Sequence, residues 1–401
     1  NVERNRWRRI RPPPDAACLR HDSSSHDSSS QRSLVICLAD GWLRCEGSAA
    51  SVASTPVSSS RQRLCSILDR VGLIEGVLRA RARFGSPYLT VLTYHRVFEA
   101  PEVYPFDRGV IDVGPEAFDA QLKTLAKYFN VVGIDEVCAH FAGEQALPKN
   151  AAVVSFDDGY LDNLEVAAPI LKDNGMKGVF FMATSYIEER RMYWWDRINY
   201  LFHHATPGRG KITLAYPARL ELDLDGDRAG ALSTILQLMK IQFDLDVERM
   251  LDGLADALGV VWNRELENEL CEGFVMTWDD VRALRKMGMD VQSHTRSHRA
   301  LQTVPHAELA GELAGAKQDL ERELGEPVDS ISYPIGRSLA SLGSIKEALK
   351  DAGYKVGFTN ATGAHPLWGE SDCYDVRRIA IEPEYRGSFF RSVLAVPQLG
   401  Y

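Results

Sequence analysis

The sequence predicts an α/β protein: a (β/α) barrel of about seven parallel strands that carries a largely helical insertion. Three observations predict it. At four joints a helical stretch ends in glycine (Gly175, Gly288, Gly325, Gly353) and leads directly into an apolar stretch. Such joints imply parallel strands linked by helical crossovers. The strand stretches are continuous apolar runs rather than alternating ones, as a sheet buried on both faces requires. The rhythm breaks once, between Tyr186 and Phe274. Closure into a barrel brings the C-terminal ends of all strands to one face, where catalytic residues collect.

Taken in order, residues 1–60 read as a disordered tail. Five arginines fall within Asn1–Arg11, three prolines follow, and serine runs fill much of the rest. That composition cannot bury a core. An ordered domain is expected over 61–401. It opens with Leu64, Ile67, Leu68, Val71, Leu73, Ile74, Val77 and Leu78, which recur at helical spacing. The strand stretches are Leu89–Tyr94, Asn130–Val132, Ala152–Phe156, Gly178–Met182, Met289–Gln292, Asp329–Tyr333 and Lys355–Thr359, with Val376–Ile381 as a further candidate. The insertion, about 186–274, opens on Met192–Arg197 and holds two helical stretches, Leu232–Phe243 and Val247–Leu258.

Composition excludes several function classes. Of 401 residues, 45% are hydrophobic and 25% charged, and the net charge is −9. An acidic balance argues against a nucleic-acid partner. No apolar run approaches the ~20 residues of a spanning helix, so no integral membrane segment is expected. The seven cysteines are odd in number and form no CxxC pair. They read as free thiols of a reducing compartment. With no signal peptide in view, the cytoplasm is the expected location, and a leader upstream would reverse that. Oligomeric state has no signature.

Two strings carry the chemistry. Ser155-Phe156-Asp157-Asp158-Gly159-Tyr160 ends one strand stretch, and Ser293-His294-Thr295-Arg296-Ser297-His298 ends another. One carboxylate with two imidazoles forms a ligand set with open positions, suited to a hydrolytic divalent metal. Neighbouring residues of a strand point in opposite directions. One aspartate is therefore free to take a proton while the other binds metal. Zn²⁺ suits this set best, with Co²⁺, Ni²⁺ or Mn²⁺ as other occupants.

Together the two strings resemble those of the polysaccharide deacetylases, the NodB-homology group of carbohydrate esterases. The resemblance covers about residues 88–385, interrupted by the insertion. It implies a distorted barrel and metal-dependent hydrolysis of N-acetyl, or O-acetyl, groups on an amino-sugar glycan, with carbon–nitrogen bonds other than peptides as the target. By resemblance, Asp157 is the general base, and Asp158, His294 and His298 are the metal ligands. The family's third motif survives as Ser332-Tyr333-Pro334-Ile335-Gly336-Arg337, in which Ser332 stands where an arginine would orient the base. Arg337 or Arg378 is the candidate replacement, and the backbone N–H of Ile335 is the candidate oxyanion donor. The late Leu-x-His motif has no counterpart. Thr93-Tyr94-His95-Arg96 resembles the leading string of a subgroup whose motif order is permuted, which makes His95 the candidate general acid. Tyr160, Tyr333 and Pro334 beside the motifs, and Trp194 and Trp195 in the insertion, are candidate sugar contacts. Two rival readings stand beside this one: a catalytically weak relic that only binds glycan, suggested by the missing motifs, and a metal hydrolase of a non-sugar amide.

Overall fold

The structure, a computed structural model, describes residues 59–336, 338–339, 342–368 and 371–400. The tail expected over 1–60 lies outside these residues except at Ser59 and Ser60, which open a helix, and Cys18, Cys37 and Cys45 lie outside them as well. Cys65, Cys138, Cys271 and Cys373 are free thiols.

Seven strands close into an all-parallel barrel: β1 (Tyr88–Tyr94), β2 (Ala151–Phe156), β3 (Val179–Met182), β4 (Asp290–Ser293), β5 (Ser330–Ser332), β6 (Val356–Thr362) and β7 (Val376–Ala380). They follow chain order around the ring, and β1 closes it by pairing with both β2 and β7. β2 to β4 are buried at every position, as the continuous apolar runs require. All four glycine joints adopt positive φ, from 67° at Gly175 to 90° at Gly288, a conformation that Gly takes without a Cβ clash.

Membership of the ring differs from expectation in one respect. Asn130–Val131 is a two-residue strand that pairs only with the start of β2 and stays outside the ring. The place is taken by Val376–Ala380. An antiparallel pair, His365–Pro366, covers the start of β1.

The segment between β3 and β4 is largely helical, with helices Trp194–His203, Arg228–Ile241, Val247–Leu258 and Arg264–Cys271. It also holds an antiparallel hairpin, Lys211–Leu214 with Leu220–Asp223, which was not expected. Its four-residue arms alternate inside and outside, too short a pattern to stand out in sequence.

The apolar stretch after Arg61 is two helices. α1 (Ser59–Arg70) and α2 (Leu73–Phe84) are separated at Gly72, whose φ is 81°. Only Cys65, Ile74 and Leu78 of this hairpin are buried.

Candidate metal centre and catalytic groups

The two motif strings meet at the C-terminal ends of β2 and β4, with β3 between them. His294 N–H donates to the Met182 carbonyl at the end of β3, and Asp157 N–H to the Tyr94 carbonyl at the end of β1. Four strand ends thereby bring His95, Asp157, Asp158 and His294 to one face.

Asp158, His294 and His298 are buried and hold three potential ligand atoms within 4.8 Å of one another. Asp158 Oδ1 lies 3.4 Å from His294 Nε2 and 3.2 Å from His298 Nε2. It has no hydrogen-bond donor among the described residues. His294 Nδ1 lies 2.9 Å from the Ser332 carbonyl. A carbonyl only accepts, so Nδ1 carries a proton, and Nε2 is the ring nitrogen that faces the carboxylate. A buried carboxylate and two imidazole nitrogens that converge in this way form a cation site by the chemistry of their donors, and the three side chains fit a divalent ion. Burial pushes the Asp158 carboxyl up, but the two imidazoles outweigh it and hold the group below the ordinary carboxylate range. Burial holds His298 below the ordinary imidazole value against the pull of Asp158, which keeps it neutral and able to ligate.

Local backbone explains how adjacent aspartates part. β2 ends at Phe156, and Asp158 takes φ 79° ahead of Gly159 at φ 96°. Asp tolerates this left-handed region better than most residues. Thr295 and His298 also have positive φ, 63° and 55°. The second string is therefore a folded loop rather than a helical turn, and the i, i+4 spacing works through that loop.

Asp157 is clamped by Arg378, whose Nη1 and Nη2 donate to its two oxygens at 2.8 Å each. Both side chains are buried. Burial pushes the Asp157 carboxyl up, yet Arg378 and His294 outweigh it and hold the group below its ordinary value. Arg378 Nε donates to the Thr359 carbonyl at 3.1 Å, and Nη2 also donates to Asn360 Oδ1. A bulge makes this possible: between Phe358 and Thr362 of β6 the register slips against Val376 and Arg378 of β7. Of the two arginines considered for the clamp, Arg378 therefore meets Asp157, and Arg337 lies outside the described residues. Ser332, which stands in the arginine's position, donates its hydroxyl to Asp157 Oδ2 at 3.2 Å. One serine thus touches the candidate base through its side chain and a ligand through its carbonyl.

His95 is the most open group here, with a side chain 26% exposed. Its Nδ1 lies 3.3 Å from Asp112 Oδ2, and its backbone N–H donates to the same oxygen. Burial lowers the imidazole pKa, but the Asp112 carboxylate, with Asp158 and Asp157 behind it, pushes it up to about 10. Asp112 sits in a short strand, Ile111–Val113, after a stretch with no periodic signal. Nothing in the sequence marked it. Ile335 has φ 61°, a strained value for a β-branched residue. Its N–H has no acceptor among the described residues.

The expected sugar contacts do not face solvent. Tyr160 donates its hydroxyl to Asp196 Oδ2 at 2.6 Å and accepts from Trp195 Nε1 at 2.6 Å. Trp194 and Trp195 are each 5% exposed and pack edge to face. Tyr333 is buried with its hydroxyl donated to the Tyr374 carbonyl, and Pro334 is buried beside it. The aromatic cluster instead supports the ligands from behind. Trp195 stacks on Tyr193 and lies 4.5 Å from the His298 ring, and the Tyr193 hydroxyl donates to the Asp158 carbonyl.

Residues 144–217 and 247–357 match the family model for polysaccharide deacetylase. The unmatched gap falls inside the insertion, and both motif strings lie within the match. YxkH of Bacillus subtilis, whose name assigns it provisionally to these deacetylases, is 20% identical over 303 residues, which are 75% of this chain and 74% of that one. Two solved structures are similar. The deacetylase PplD of Streptococcus pyogenes has 18% identity and a TM-score of 0.48, covering 76% of this chain and 96% of its own. IcaB of Ammonifex degensii has 20% identity and a TM-score of 0.48, covering 78% and 98%. His95 and Arg378 fall outside the matched residues. With both motif strings inside the match, the chain carries a polysaccharide deacetylase domain.

Proposed function

We infer that this chain is a metal-dependent deacetylase that hydrolyses N-acetyl groups on an amino-sugar polymer or glycoconjugate. One observation carries the reading. Two adjacent buried aspartates are held for different work: Asp157 by Arg378, and Asp158 by the two imidazoles. A divalent ion on Asp158, His294 and His298, Zn²⁺ by preference, would supply Lewis acidity to a water and an acyl oxygen.

The chain's own residues supply the proton traffic. Asp157, kept ionised by Arg378, accepts a proton from water as the water oxygen bonds to the acetyl carbon. The former carbonyl oxygen gains negative charge, and the Ile335 N–H is the backbone donor available to it. His95, protonated through Asp112, then gives its proton to the nitrogen as the carbon–nitrogen bond breaks. Acetate and a free amine result. The relic reading loses its main ground, because Arg378 from another strand does the work of the missing arginine.

The test is acetate release from N-acetylglucosamine oligomers by purified protein, with chelator and after added Zn²⁺. Acetate that stops with chelator and returns with Zn²⁺ is expected. Metal bound without acetate, from any oligomer length, would overturn the reading.

A further inference from the structure

The helical hairpin before the barrel presents the wrong face to water. Its exposed large apolar residues are Leu64 and Ile67 on α1, Val71 in the turn that follows it, and Leu73, Val77 and Phe84 on α2. These six are half of the twelve such residues on the described surface, and they lie within 26 consecutive positions. Their spacings are i, i+3, i+7 over α1 and the turn after it, where Val71 N–H still donates to the Ile67 carbonyl, and i, i+4, i+11 on α2, so each trio forms one stripe along its helix. Apolar exposure this concentrated marks a contact surface.

Charge indicates what the contact is. The hairpin has six arginines and two acids, in a chain whose net charge is −9. Both acids are engaged: Asp69 with Arg391, and Glu75 with Arg79, Lys127 and Tyr128. Arg63 and Arg70 lie seven apart on α1, and Arg79 and Arg83 four apart on α2. On both helices the order around the axis is the same: buried face, apolar stripe, arginine row. The buried positions are Cys65 on α1, and Ile74 and Leu78 on α2.

We propose that α1 and α2 form a peripheral membrane-binding hairpin that inserts its apolar stripes among the acyl chains of an anionic lipid surface while the arginine rows meet the headgroups. A basic amphipathic helix lying in the interface works in this way. A second copy of the chain is the poorer occupant, because it would set one arginine row against another. Anchoring is firm: Arg81 donates to the Leu394 carbonyl and to Asn150 Oδ1. Asn150 immediately precedes β2, so α2 ends near the N-terminal mouth of the barrel, and the metal centre opens at the other mouth. A bound lipid surface thus leaves the catalytic mouth free for glycan.

The experiment uses the full chain and flotation with phosphatidylcholine vesicles, with and without phosphatidylglycerol. Two triple variants accompany it, Ile67→Gln/Val71→Gln/Phe84→Gln and Arg63→Gln/Arg70→Gln/Arg83→Gln. All six sites are exposed, and unchanged thermal melting checks that the variants fold. The wild type should float with phosphatidylglycerol vesicles at low salt and leave them at high salt. The arginine variant should bind on the order of a hundredfold more weakly, at roughly fivefold per charge removed. The apolar variant should lose binding even at low salt. Wild type that stays in solution, or binds equally without phosphatidylglycerol, would overturn the proposal. Variants that bind like wild type would do the same and assign the contact to the arginines of Asn1–Arg11. Loss of a dimer without any vesicle binding would assign the face to a second copy.

Discussion

Asp157 is 1% exposed and nevertheless ionised, because the bidentate bond to Arg378 outweighs the burial that would protonate it. As the proposed base Asp157 works only when ionised, so activity should fall as pH drops through its pKa. In the wild type that point lies below the ordinary value of 3.8. Arg378→Met leaves a buried carboxylate without its cation. The acid limb of the rate profile should then move to higher pH, and stability should fall by roughly 3–5 kcal/mol in denaturant titrations. Asp157→Asn should reduce acetate release by about 10²- to 10⁴-fold while elemental analysis finds metal still bound; loss of metal would exchange the roles of the two aspartates. His95 has the opposite sign. In the proposed role it donates a proton, so activity should be lost as pH rises through its pKa, which Asp112 raises to about 10. Asp112→Asn should bring the basic limb of the kcat/KM profile down towards the ordinary imidazole range. An unmoved limb would remove His95 from the acid role.

Among the elements, the turn after β5 and the bulge in β6 act as one device. Gly336 has φ 65°, and a Cβ there would lie 2.3 Å from the Asn360 Cβ. Asn360 holds Arg378, and Arg378 holds Asp157. Gly336→Ala should therefore lose activity well beyond its stability cost of about 1–3 kcal/mol, and acetate assays beside thermal melts will separate the two. How much of this the sequence carried depends on the kind of signal. The two motif strings were legible because their spacing and strand-end position are local. Arg378 was legible only as one of two choices, since a partner that arrives from another strand leaves no mark in the motif. Asp112 was not legible: it lies in a stretch without period and meets His95 through a two-residue strand, Arg96–Val97, paired with Ile111–Val113. Tyr193, Trp194 and Trp195 were legible as a cluster, but composition does not distinguish an aromatic wall facing sugar from one packed behind a ligand. The α1–α2 stretch shows the same limit, because helical period gives a face but not which side of it the barrel takes.

For the whole molecule, the candidate metal centre is also a structural joint. Its three side chains follow the ends of β2 and β4, Ser332 of β5 holds one of them, and the aromatic cluster of the insertion packs behind another. Without a cation, this joint holds a buried carboxylate against two imidazoles with one oxygen unbonded. Such an arrangement opposes folding, and an ion that binds only the folded chain offsets it. Linkage sets the size: free metal at a hundred times its dissociation constant adds about 2.7 kcal/mol to the folded state. Chelated protein should therefore melt several degrees below Zn²⁺-loaded protein, and the gap should widen with free metal concentration. His298→Ala removes a ligand, so it should abolish most of the increment; Asp157→Asn removes only the base, so it should keep it. If the wild type melts alike with and without metal, Asp158, His294 and His298 do not form a metal site. If His298→Ala keeps the full increment, the ion sits elsewhere, and the division of labour between Asp157 and Asp158 fails with it.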